Sequence, residues 1–184
     1  MKRALFIASL CVAALLAYGP SARAADSAKA ASLDREARAA LKNLYASVPA
    51  AKVLGEQAVA MLVFPSILKG GFGVGGQYGE GALIKGGKTV GYYSSTGVSY
   101  GLQAGIQKYG YAMIFMRESA LKQLDAQQGY EVGVGPSVVV VDEGMARSLT
   151  TKTVDKDIYA FIFSQKGLMA GLGVQGNKIQ RIVP

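Results

Sequence analysis

Between Gly71 and Ile84 the chain alternates with a period of two. Phe72, Val74, Tyr78, Ala82 and Ile84 hold even positions, and Gly71, Gly73, Gly75, Gln77, Gly79 and Gly81 hold odd ones. The pattern returns from Gly97 to Gln107, where Val98, Tyr100, Leu102, Ala104 and Ile106 alternate with Gly, Ser and Gln, and again from Gly167 to Gln175. Successive side chains of a strand point to opposite faces, so these are three strands with one apolar face and one almost bare face. Ten of the 22 residues from Gly70 to Gly91 are glycine. Glycine weakens a strand interior, so its use along one face predicts a sharply bent sheet or a group that must come close to the backbone.

The remaining pattern supplies the other elements. Leu33, Ala37, Ala40, Leu41, Leu44 and Tyr45 recur at helical spacing behind Ser32 as N-cap, with Asp34 and Glu36 in the first turn. That stripe either covers the sheet or lies on a membrane surface. Pro49 opens a second short helix towards Ala58. Ala60 to Pro65 is an apolar run leading into the glycine-rich stretch, and Gly86-Gly87-Lys88 is a hairpin turn. Tyr111 to Arg117, Val138 to Val141 and Ile158 to Phe163 read as buried strands, Ser119 to Gln127 as a short helix. Gly176-Asn177 reads as a last turn before an edge strand with Lys178 and Arg181. The fold class expected is α+β: a curved antiparallel or barrel-like sheet, an N-terminal helical segment and one or two short helices.

The first residues change the picture of the compartment. Lys2 and Arg3, an apolar stretch from Ala4 to Tyr18, and Ser21-Ala22-Arg23-Ala24 form a secretory signal with cleavage expected after Ala24. The bulky Leu10 before Cys11, the only cysteine, argues against lipidation. Residues 25–31 are small and polar and are expected to be a flexible tether, with a single domain over 32–184. The formal charge is +8, and losing Lys2, Arg3 and Arg23 leaves 17 basic against 12 acidic residues, or +5. An exported, cysteine-free domain must be held by its own core, a habit more typical of bacterial exported proteins than of small animal modules. Its basic balance favours anionic partners such as phospholipid head groups over nucleic acid, and the expected location is periplasmic or secreted, peripheral to a membrane.

Candidate chemistry is sparse. With no histidine and no mature cysteine, Ser-His-Asp catalysis, thiolate chemistry and the common zinc sites are excluded. Gly71 to Gly76 fits G-x-G-x-x-G, but alternation continues where a nucleotide site needs a helix. Ser66-Ile67-Leu68-Lys69 has S-x-x-K spacing, yet Gly70 and Gly71 follow where the enzymes with that motif begin a helix. Asp142-Glu143 and Asp155-x-Asp157 read as solvated loop charges. No cofactor, metal or catalytic residue is expected. Lys69, Lys85, Lys88 and Lys108 flank turns of the glycine-rich region and could gather at one end of the sheet, and several tyrosines lie in the same half.

Val63-Phe64-Pro65-Ser66-Ile67-Leu68-Lys69-Gly70-Gly71-Phe72-Gly73-Val74-Gly75-Gly76, followed by Tyr78-Gly79-Glu80-Gly81, resembles the SYLF domain, a lipid-binding domain also described as an actin-binding module in yeast proteins. Gly101-Leu102-Gln103-Ala104-Gly105, Val134-Gly135-Pro136 and Gly167-Leu168-Met169-Ala170-Gly171 extend the likeness over about Val48 to Ile182. The resemblance implies non-enzymatic binding of phospholipid through basic residues and an amphipathic N-terminal helix. The residues expected to carry it here are Lys69, Lys85, Lys88 and Lys108, with Arg35, Arg38 and Lys42 of the first helix. The alternative is a periplasmic structural or protein-interaction module with no lipid ligand.

Overall fold

The computed structural model describes residues 19–124, 130–131, 138–141 and 155–184. Three long strands dominate it: β1 (Ala60–Lys85), β2 (Lys88–Phe115) and β5 (Ile158–Ile182). Helices α1 (Gly19–Ser47) and α2 (Pro49–Gln57) precede them, and α3 (Glu118–Leu124), β3 (Tyr130–Glu131) and β4 (Val138–Val140) lie between β2 and β5. The sheet runs β1-β2-β5, with β3 and β4 on the far side of β5; all pairs are antiparallel except β4 with β5. It is curved and open, in agreement with the α+β class read from the sequence.

A strand of 26 residues would stretch to about 85 Å, roughly twice the width of a domain this size, so it must bend. The bend crosses all three strands. Gly73 has φ 70°, Gly105 φ 140° and Gly167 φ 90°, and register places Gly71 opposite Gly105 and Gln107 opposite Gly167. Each strand therefore runs out to a tip and returns over itself. The bare face is the concave one. A Cβ on Gly79 would meet the Ser66 carbonyl at 2.7 Å, and one on Gly81 the Val63 carbonyl at 2.6 Å and the Phe64 ring at 2.7 Å. Two halves of one strand can approach this closely only where the side chain is hydrogen.

Two cores result. Leu62, Phe64, Ile67, Leu83, Tyr93, Met113, Phe115 and Ile179 pack together, drawing on both halves of the bent strands, and α3 adds Ala120 and Leu124. On the other side α1 and α2 bring Ala37, Ala40, Leu44, Ala51 and Leu54 against Val63, Ala82, Ile84, Ile114 and Phe161. Leu44 is fully buried, so its side chain alone contributes about 2 kcal/mol. The apolar stripe of the first helix thus covers the sheet and is closed to a membrane.

Three expectations need correction. Helix α1 begins at Gly19 and runs through 25–31, where a flexible tether was expected. Ala22, Ala24, Ala25, Ala28, Ala30 and Ala31 have the highest helix propensity and carry the helix back past Ser32, whose hydroxyl bonds Glu36 inside it. The strands expected separately at 111–117 and 158–163 are the base ends of β2 and β5, because pairing continues through the glycine-rich tips. Gly176-Asn177 is no turn: both residues stay in β5, opposite Val98 and Gly97, and Lys178 and Ile179 pair with β3 on the other side. The hairpin turn stands as expected, Gly86 and Gly87 both having positive φ between Lys85 and Lys88. Asp142-Glu143 and Val134-Gly135-Pro136 lie outside the described residues, as does most of the predicted signal.

Candidate functional site

The basic residues form two groups. Arg38 and Lys42, one turn apart on α1, face the β1–β2 hairpin, where Lys85 and Lys88 stand opposite each other beside the turn. Arg38 clamps helix to hairpin. Its guanidinium donates to Asp34 at 2.9 Å, to the Gly87 carbonyl at 3.0 Å and to Thr89 Oγ1 at 3.2 Å, and Thr89 donates to the other Asp34 oxygen. These bonds, Arg38 first and Thr89 second, hold the Asp34 carboxyl below the usual carboxylate range, and Asp34 in turn raises Arg38. Lys85 pairs with Glu118 at 2.7 Å. Arg35 is exposed on α1 and takes no part in the clamp.

Beside the clamp lies an open cleft of ≈ 530 Å³. Leu41, Tyr45, Met61 and Ile84 supply its apolar lining, while Arg38, Lys42 and Lys52 supply three cationic groups. The Tyr45 hydroxyl donates to Met61 Sδ, and its ring fills the space over Gly55 that any larger residue would need. Partial burial pushes the Tyr45 hydroxyl up from its ordinary pKa. An apolar slot with lysine and arginine at its rim matches the two-part chemistry of a phospholipid, acyl chain and phosphate. Lys52 was missed in the sequence because it belongs to the second helix, and nothing local marks it as a neighbour of Lys42.

The second group lies at the tip. Lys108 is opposite Leu68 on one side and Lys166 on the other, and Lys69 is opposite Gln107. The four lysines expected at one end of the sheet are thereby split between its tip and its hairpin. Lys166 could have been found once the register of β2 and β5 was known. The apolar side chains of the tip were legible, but their direction was not. Phe72, Val74, Val98 and Ile106 face solvent, because glycine takes the inside of the bend.

Two polar contacts secure the tip's base. Tyr109 donates to Gln77 Oε1 at 3.0 Å, and Gln77 Nε2 donates to Asn177 Oδ1 at 2.9 Å, tying the two limbs of the bent sheet together. Burial pushes the Tyr109 hydroxyl up. Tyr78 donates to Glu80 and is pushed up to about 12, while that bond and Lys29 at 3.0 Å keep Glu80 low. Ser66 sits at the bulge between Phe64 and Ile67 rather than at a helix start, and Gly71 to Gly76 stays in β1 with no helix behind it. Asp157 pairs with Arg117 and Asp155 with Lys156. Among the described residues no acidic cluster could hold a metal, and no helix is long and apolar enough to cross a bilayer.

A family model named Ysc84 and described as Las17-binding protein actin regulator matches residues 96–181, from the tip limb of β2 through β5. No curated protein matches the chain.

Proposed function

We propose, from the match of residues 96–181 to the Ysc84, or SYLF, family model, an exported, non-enzymatic domain that binds anionic phospholipid surfaces. The observation that carries the proposal is the cleft between α1, α2 and the hairpin: an apolar floor at Leu41, Tyr45 and Ile84 beneath Arg38, Lys42 and Lys52. A phosphate head group would meet the cations while the first part of an acyl chain lies on the floor. Each basic group near an anionic bilayer contributes about 1 kcal/mol; Lys42 and Lys88 supply that in full, while Lys52 and Lys85 share their charge with Glu56 and Glu118, so the attachment is weak and reversible.

The first helix takes part through its basic side, since its apolar stripe lies in the core. The actin link in the family description is not carried over, because an exported chain meets no actin in its own compartment. Lys42→Glu with Lys52→Glu tests the reading. Both side chains are exposed, so the fold should persist while binding to anionic vesicles falls on the order of a hundredfold. Unchanged binding would remove the cleft from the account.

A further inference from the structure

We propose that the tip of the bent sheet is a membrane-inserting element, and that Phe72 and its neighbours enter the boundary between head groups and acyl chains. The inference rests on the membrane being the partner, as argued above, but on different residues. Phe72 is 88% exposed, Ile106 68%, Val98 59%, Val74 57% and Leu68 56%. Residues opposite each other in a ladder share a face, and register puts Gly70 beside Ile106, Phe72 beside Ala104 and Gly76 beside Val98. These five side chains therefore occupy one convex face, around the bend. Apolar surface gathered in this way on a domain with two filled cores marks a site of contact.

Charge selects the occupant. On the same face Lys108 and Lys166 sit side by side, level with Leu68 at the base of the apolar group. Like charges directly opposite destabilise a sheet unless something anionic lies between or above them. The three limbs, residues 66–79, 95–110 and 164–177, contain no Asp or Glu at all. An apolar tip with lysines at its base and no acid within these limbs fits an anionic lipid surface: side chains below the phosphates, ammonium groups level with them. Insertion is shallow, because the outer backbone of β1 must stay within reach of water.

The sequence supplies its own reporter, for it has no tryptophan. Phe72→Trp and, on β4 at the far side of β5, Val140→Trp each place a single indole in the protein. With anionic vesicles bearing brominated acyl chains, Phe72→Trp should shift to the blue and lose at least about half its emission, and Val140→Trp should change little. Phe72→Asp should weaken vesicle binding on the order of tenfold with an unchanged thermal midpoint. Vesicle binding without quenching at Phe72→Trp, or with equal quenching at both positions, overturns insertion and leaves surface attachment standing. Absence of binding by the parent chain overturns both. If Phe72→Asp dissolves a lipid-free dimer and leaves vesicle binding intact, the tip's partner is a second copy of the chain, and insertion is overturned.

Discussion

Arg38 stands at the rim of the cleft and also holds the fold together. Its bonds to Asp34, Gly87 and Thr89 join helix to hairpin. Arg38→Ala is expected to cost about 1 kcal/mol in a urea titration, because the pair is partly solvated. The pH dependence has a definite sign. Asp34 and Glu80 are both held below their ordinary range, so the folded chain takes up their protons less readily than the unfolded one. Their contribution is complete above the ordinary range near pH ~4 and is lost as pH falls through the depressed values. The urea midpoint should therefore drop between about pH 5 and pH 2, and Asp34→Asn should start lower and drop less. A midpoint that rises in that interval would refute the assignment.

The bent strands make glycine a packing residue. Gly81→Ala pushes a methyl into Val63 and Phe64 and should cost about 2 kcal/mol or more. Gly76→Ala meets only the Gly97 carbonyl at 3.9 Å and should change stability by less than about 0.5 kcal/mol. Equal effects at the two sites, read from thermal midpoints, would contradict the folding-over of β1. Tyr109→Phe removes a buried hydrogen bond to Gln77 and should cost about 1 kcal/mol. Period-two alternation from Gly71 to Ile84 was enough to read strands, and Gly86-Gly87 enough to read the hairpin. The same alternation could not say that Gly71 and Gly79 face inward and Phe72 outward. That direction is set by a contact between residues such as Ser66 and Gly79, which belong to two limbs of one strand. The helix start was misread for a simpler reason: Ser32 is a good cap, but the alanines before it are better helix formers than a tether needs.

At the scale of the molecule, the cations divide between a cleft and a tip, and both can meet one surface only if the domain lies with that side down. Arg38 and Lys42 were legible as the polar side of a helix; their pairing with Lys52, and that of Lys108 with Lys166, depended on long-range packing. Attachment by exposed charges is screened by salt, whereas a buried apolar contact is not. The most direct measurement is flotation of the chain from Ala25, which retains every described buried residue, with anionic and with zwitterionic vesicles at about 0.05 M and about 1 M salt. The account predicts binding to the anionic vesicles alone at low salt, falling at least tenfold or so at high salt. Equal binding to both vesicles, or binding to neither, would contradict it.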